Sequence, residues 1–502
     1  MGIDEYQDSI KLLADLARMS SFGQAENEPA KSFSKTFLPV AEHIRSMDPN
    51  VFFVIGPRGC GKTDLFRAVM QLGLFPSIQR CLPELRPPLK NADAIKLIAG
   101  YPLGTDFADH LGLARFFFDD AHRERVDILD TRTELWFAYL VRVLWNDLSQ
   151  EDQNALKGLQ EADGGDIEKV YSVFRSLGNK PLIALDHLDF RLEREERYII
   201  IGYDDLDKIV TLEWVGMIRA VAIEGLLGFW AAYSRRWRRI RAKMFLPTEL
   251  FNEFVAGAGP DLERMAVNRV ELFWSERSLY AMLLKRIANT SEDLWQYIKN
   301  TKGVEFLEDP VLGHVPKISR DEYVGAAINL LSGQSMEVMI KKGQTYQWLI
   351  SRIRDGRSRS LPINLVRMIE VASELQIESN RHPILPRLID RTSLRRAFEV
   401  VSMEHVRYCM EEWPWLCGLA DRLKDQQVPL ERDHLERLLD AEYHDSWDQC
   451  KDTTMPAKSI HDFVDYLIGV GVFRARTGGR IDVPDLFLAG LGLKRKGGVR
   501  KK

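Results

Sequence analysis

Gly56-Pro57-Arg58-Gly59-Cys60-Gly61-Lys62-Thr63 stands between the apolar run Val51-Phe52-Phe53-Val54-Ile55 and the helix-like Asp64-Leu65-Phe66-Arg67-Ala68-Val69-Met70. The octet fits the pattern G-x-x-x-x-G-K-[ST], with a strand before it and a helix after it. Each residue type answers a need of polyphosphate binding. Glycines let consecutive backbone N–H groups turn inward, the Lys62 ammonium reaches the β and γ oxygens, and the Thr63 hydroxyl ligates Mg²⁺. Gly56, Pro57, Arg58, Gly59, Cys60, Gly61, Lys62 and Thr63 are therefore all candidates for nucleotide contact. Cys60 occupies a free position of the pattern and reads as incidental rather than as a redox switch.

A phosphate loop needs an acidic partner strand. Tyr198-Ile199-Ile200-Ile201-Gly202-Tyr203 runs into Asp204-Asp205-Leu206-Asp207, and a continuous apolar run ending in carboxylates suits a central parallel strand buried on both faces. Asp204 is the candidate Mg²⁺ ligand, directly or through water, and Asp205 the group that orients and polarises the attacking water. Leu182-Ile183-Ala184-Leu185-Asp186-His187-Leu188-Asp189 is the rival. It is shorter, poorer in β-branched residues and continues into the helical pattern of 191–197, so Asp204 and Asp205 take precedence over Asp186 and Asp189.

Lys62 and Asp204 stand 142 positions apart, whereas a minimal strand-helix-strand unit takes about 30 residues. A further strand is expected between them, with 94–100 the candidate, together with a helical insertion over 101–197. Within it, 135–148 reads as core. No guanine-specifying N-K-x-D follows, which favours ATP.

Downstream, 214–233 reads as a helix whose apolar stretch is interrupted by Arg219 and Glu224, which suits a buried core better than a bilayer. Arg235-Arg236-Trp237-Arg238-Arg239-Ile240-Arg241 follows. Five arginines there fit a solvated face, a DNA-facing patch or an arginine finger for a neighbouring subunit, and the sequence leaves all three open. Ala242-Lys243-Met244-Phe245-Leu246-Pro247-Thr248 reads as a strand ending in a polar group. In an additional-strand P-loop ATPase that position senses the γ-phosphate, which makes Thr248 the candidate. A fifth strand over 269–274 and a helix over 278–287 close a core spanning 46–290, with 1–45 as a helical lead-in packed beside it.

Residues 291–394 read as a helical lid. Its segment 360–370 places Pro362 at a helix start and Arg367 one turn in, where the cation can point at nucleotide. Residues 395–490 carry amphipathic helices over 430–442 and 460–469, and then a strand, Gly-Gly turn and strand over 471–484. That outline is a winged helix. Residues 491–502 are a basic tail in which the last nine, Lys494 to Lys502, hold six cations and no acid. Wing and tail suit the phosphate backbone of double-stranded DNA, and docking onto a protein is the competing use.

At 502 residues the chain exceeds what one hydrophobic core serves. Its net charge of −4 leaves partners to be read from local charge. Five cysteines without a C-x-x-C pair fit a reducing cytoplasm and argue against a zinc ribbon. No signal-peptide or myristoylation pattern opens the chain, so the expectation is a soluble protein of the cytoplasm with no membrane partner.

The phosphate loop, the Asp204-Asp205 strand end, the Thr248 strand end, the Pro362 to Arg367 helix start and the terminal wing together resemble the AAA+/STAND side of the P-loop ATPases. The likeness is to those found in bacterial antiphage-defence and mobile-element neighbourhoods. It implies an α/β P-loop core with a parallel sheet of the additional-strand class, a helical lid and a C-terminal winged helix. It also implies ATP and Mg²⁺ as cofactors, a switch thrown by hydrolysis or exchange, a homo-oligomer, and either DNA or an effector protein as partner. Two departures stand out. The second acid is Asp205 rather than glutamate, which leans toward a slow switch, and no arginine is unambiguously placed as finger or lid sensor.

Overall fold

The computed structural model describes residues 3–19, 28–85, 94–100, 125–206, 215–255, 258–336, 344–379, 387–413, 415–440, 457 and 459–496. They fall into two compact units, Pro39–Phe273 and Met1–Leu38 together with Trp274–Lys502.

The first unit is built on five parallel strands, β1 (Phe53–Gly56), β2 (Ile95–Ala99), β3 (Tyr198–Tyr203), β4 (Ile240–Pro247) and β5 (Val270–Glu271). Their order is β2-β3-β4-β1-β5. β4 therefore lies between the phosphate-loop strand and the acidic strand, which is the additional-strand arrangement. β1 and β3 are continuous apolar runs because helices cover both faces, whereas β2 carries Lys96 and β4 carries Arg241 and Lys243. Phe53, Ile55, Ile199, Ile201, Tyr203, Met244 and Leu246 join one core with the helices Arg125–Val143, Ile167–Ser176, Lys180–Arg194 and Val215–Tyr233. The alternate positions face the helix that follows the phosphate loop, Lys62–Phe66, which continues as a π turn over Arg67–Gln71. There Phe66 meets Phe245 edge-on at 5.6 Å, and a Cβ on Gly202 would stand 2.8 Å from Met70. Gly202 is what lets helix and acidic strand close together.

Between β2 and β3 the described residues form the helices Arg125–Val143, Gln150–Glu161, Ile167–Ser176 and Lys180–Arg194, joined by short turns. The rival acidic stretch 182–189 lies inside the Lys180–Arg194 helix, which Pro181 opens. It forms no strand, because its apolar residues follow helical spacing: Ala184, Leu185, Leu188 and Leu192 are buried while Ile183 and Phe190 are exposed. Val215–Tyr233 is a core helix with Ile223, Leu226, Leu227, Phe229 and Trp230 buried. Among the described residues no helix is long and apolar enough to cross a membrane.

The arginine run sits at the N-terminal ends of β3 and β4. Asp186 accepts from Arg236 at 2.8 and 2.6 Å and from the Trp237 indole at 3.0 Å. Arg235 pairs with Asp261 at 2.6 Å. The Arg239 and Arg241 guanidinium groups lie over the Tyr198 and Phe52 rings, at 4.5 and 5.6 Å from their centroids. In a parallel sheet that edge is opposite the one from which the phosphate loop springs, so four of the five arginines serve the unit's own surface.

In the second unit the helix Ile3–Ala17 packs on Pro362–Glu378 and on Glu276–Thr290. The division of the chain thus falls after Leu38 and after Phe273 rather than at 45 and 290. Glu276–Thr290 belongs here because an unbroken run from Leu279 to Ala288 is buried, which requires neighbours on every side. The stretch read as a helical lid also contains a hairpin of β6 (Val304–Asp309) and β7 (Gly313–Ile318). Asp309 shapes its turn by accepting from the Val311 and Leu312 N–H groups at 2.9 Å.

The C-terminal part places the helices Trp415–Leu423, Arg432–Asp440 and Ile460–Val470 around Trp415, Phe463, Leu467, Ile481 and Phe487. β8 is Gln427–Val428, β9 Leu430–Glu431, β10 Arg474–Ala475, β11 Arg480–Asp482 and β12 Lys494–Arg495. β9, β10 and β11 form a sheet in the order β10-β11-β9, and the β10–β11 turn carries Gly478 and Gly479 at φ 83° and 74°, angles that glycine adopts without strain. β12 pairs in parallel with β8, so the basic tail begins as ordered strand. Residues 441–456 and 497–502 lie outside the described residues.

Candidate nucleotide site

β1 ends at Gly56, which pairs with Pro247, the last residue of β4. Gly59 and Gly61 hold φ of 73° and 95°, where a side chain would be strained, and a Cβ on Gly56 would stand 2.6 Å from Cys60 Sγ. The loop is therefore narrow and its amides are free to turn inward. Lys62 is buried, and its Nζ donates to the Gly56 and Pro57 carbonyls at 3.0 Å each. Burial pushes the Cys60 thiol up, which makes it a poor nucleophile and fits an incidental position.

The acidic strand delivers its carboxylates to the same edge. β3 ends at Tyr203, in register with Met244 of β4, and Asp204 and Asp205 follow. The Thr63 hydroxyl donates to the Asp204 carboxylate. Burial first, and the adjacent Asp205 charge second, push the Asp204 carboxyl up to about 7 against the pull of Thr63, the Asp205 backbone N–H and Lys62. Asp204 Oδ2 has no hydrogen-bond partner among the described residues. Asp205 holds φ 54°, a left-handed conformation uncommon outside glycine and seen most often in Asn and Asp. Asp207 lies outside the described residues.

Thr248 is the residue after β4 and opens the helix Thr248–Phe254. It is buried, and its Oγ1 lacks a partner among the described residues. Gly56 to Thr63, Asp204, Asp205 and Thr248 thus all sit at the C-terminal ends of β1, β3 and β4, which are neighbours in the sheet.

Orphaned Asp204 Oδ2, the Thr63 hydroxyl beside it and a second carboxylate next in the chain are hard oxygen donors, and they fit Mg²⁺. Among the described residues no group of three or more His, Cys, Asp or Glu has metal-holding geometry. A cation at Thr63 and Asp204 would therefore complete its shell with phosphate oxygens and water.

Arg367 lies in the Pro362–Glu378 helix and forms a bidentate pair with Glu404 at 2.9 Å on both arms, with Glu370 at 3.4 Å. Glu404 holds the guanidinium's pKa above its usual value. The Glu370 carboxyl is buried and thereby pushed up to about 7, with Arg367 acting against the rise. The guanidinium expected to point at nucleotide is held by acids of its own unit. Nothing local in the sequence announced this, since Glu404 comes from a different helix. Asp189 was likewise missed as a structural group. It accepts the backbone N–H groups of Arg238, Arg239 and Ile240 at 3.0, 2.7 and 3.0 Å and so caps the start of β4.

No family model matches the chain, and no curated protein matches it. Among solved structures it is similar to the ORC2 protein of Aeropyrum pernix in ADPNP–ADP complexes, at 12% identity over 88% of this chain and 86% of that one, with a TM-score of 0.38. It is also similar to a Walker-type ATPase of Pyrococcus abyssi, at 14% identity over 90% and 94%, TM-score 0.36. Cdc6p of Pyrobaculum aerophilum matches at 10% identity over 93% of each chain, TM-score 0.31. At these scores the likenesses add nothing to the topology and site geometry described above.

Proposed function

We propose that the chain is an Mg²⁺-dependent, AAA+-type ATPase of the cytoplasm that works as a switch, coupling its nucleotide state to engagement of double-stranded DNA through a C-terminal winged helix. The observation that carries the ATPase reading is the contact between Thr63 and Asp204, whose second oxygen is buried without a partner among the described residues. A buried unpaired carboxylate oxygen is costly and persists where a ligand repays it. Mg²⁺ there would offset charge on the phosphate oxygens.

The remaining roles fall to the chain's own residues. Lys62 exchanges the Gly56 and Pro57 carbonyls for β and γ oxygens. Asp205 orients the water and takes its proton. Thr248 donates its hydroxyl toward the γ-phosphate, and the Gly59 and Gly61 turns aim backbone amides at the polyphosphate. An aspartate reaches one methylene less far than a glutamate, and its left-handed backbone fixes it in one direction, which suits slow turnover. A second copy of the chain supplies the arginine finger, so turnover rises with protein concentration. The cations of the β10–β11 hairpin and of β12 supply the DNA contact.

Asp205→Asn tests the assignment. It keeps the side chain's size and removes the base, so ATP affinity should stay within about threefold while turnover falls by about a hundredfold or more. Wild-type turnover in this variant would overturn the role given to Asp205.

A further inference from the structure

The C-terminal part carries opposite charge on its helices and on its hairpin edge. Ile460–Val470 stands where a winged helix would enter the major groove. It buries Phe463, Val464, Leu467 and Val470 and exposes His461, Asp462, Asp465 and Gly469. The preceding helix Arg432–Asp440 exposes Asp433, His434, Arg437 and Asp440. Its Arg432 is engaged by Glu436 and Asp465, at 2.8 Å each. The two helices thus hold two cations, Arg432 and Arg437, against five acids. The hairpin edge is the reverse, with Arg474, Arg476, Arg480, Lys494, Arg495 and Lys496 against Asp425, Glu431, Asp482 and Asp485.

Asp482 organises that edge. Its side chain is fully buried and receives Arg474 at 3.4 Å, Arg476 at 2.5 Å and Arg495. Arg495 also reaches Asp485 at 2.7 Å. Three guanidinium groups are thus held in place by two carboxylates, which leaves one positive charge in excess. Arg480 and Lys496 are exposed and form no salt bridge among the described residues.

We infer that duplex DNA is held by the hairpin edge built on Asp482, through its phosphates, and that the Ile460–Val470 helix does not read bases. This rests on the reading of the C-terminal part as a DNA-engaging winged helix. Carboxylates at 462 and 465 repel the phosphates that flank a groove, and among base edges they accept only from the cytosine amino group. Phosphate contacts position a protein on a duplex without reporting its sequence. Engagement is therefore salt-sensitive and indifferent to sequence.

The test is fluorescence anisotropy of the full chain on two labelled duplexes of unrelated sequence over a salt series, with ATP turnover as the check that each variant folds. Arg480→Glu combined with Lys496→Glu should weaken both duplexes about tenfold or more and lower the slope of log affinity against log salt by about 2. Asp462→Asn combined with Asp465→Asn should leave the ratio of the two affinities unchanged. Unaltered affinity in the charge-reversed variant would overturn the inference. So would a preference of about tenfold or more for one duplex that His461→Ala abolishes. If the wild type binds neither duplex at low salt, the DNA reading of the C-terminal part falls and takes this inference with it.

Discussion

Thr63, next after the phosphate-loop lysine, donates its hydroxyl to Asp204, the first residue beyond β3, although β4 separates their strands in the sheet. The contact closes because Gly202 lets the phosphate-loop helix lie close against β3. It also brings a carboxylate into a buried corner beside the Asp205 charge. The site is thus assembled at a cost to the fold, as expected where binding repays strain.

That cost has a sign and a pH window. The Asp204 carboxyl is pushed up to about 7 in the folded chain, against an ordinary value of 3.8. Between those values the folded state holds a proton that the unfolded chain releases, so stability falls as pH rises through about 4 to 7. Asp204→Asn removes the charge and keeps the shape. In the absence of nucleotide and metal it should melt above the wild type at pH 8, by an amount on the order of a few kcal/mol, and converge with it near pH 4. Glu370, raised for the same reason, is present in both proteins and drops out of the difference. Thermal melts at the two pH values decide it, and an Asp204→Asn protein no more stable than wild type at pH 8 would refute the burial cost.

Thr248 presents a milder case of the same kind. A buried hydroxyl without a partner costs about 1 to 3 kcal/mol, and valine fills the same volume without needing one. Thr248→Val should raise the unfolding free energy of the nucleotide-free protein by about 1 kcal/mol and slow ATP turnover by about tenfold to a thousandfold. Denaturant melts and steady-state hydrolysis measure the two effects separately. A variant that gains stability and keeps full turnover would remove Thr248 from the chemistry.

How far the sequence carried these conclusions depended on range. β1 and β3 were legible because each is an apolar run buried on both faces, β4 because its apolar end over Met244–Pro247 runs into a polar residue, and the octet after β1 states its own backbone needs at Gly59 and Gly61. Thr248 followed from its place at a strand end. The fifth strand was read over 269–274 and pairs only at Val270 and Glu271, although Leu272 N–H still donates to Ile55 O at 2.8 Å. The β6–β7 hairpin escaped because one face of β6 puts exposed Leu307 beside Glu305 and the other puts Glu308 beside Phe306, which blurs the alternation. Arg367 escaped because its partner Glu404 is distant in sequence, and ion-pair choice leaves no local signal. The β8–β12 pairing is two residues long on each side, too short for any periodicity.

The two acidic stretches that competed in the sequence now differ in what they accept. Asp189 takes three backbone N–H groups at the start of β4, far along the strand from the edge that carries Asp205. Its removal strands those donors where β4 enters the sheet. Asp189→Ala should cost about 2 to 3 kcal/mol of stability, because alanine offers no acceptor, yet turnover per folded molecule should stay near wild type. Asp205→Asn should do the opposite, sparing the melting temperature and removing turnover. Comparing melts and hydrolysis rates of the two variants at one temperature, below both transitions, separates a cap from a catalytic base. Loss of turnover in folded Asp189→Ala alone would return the acidic role to the Lys180–Arg194 helix.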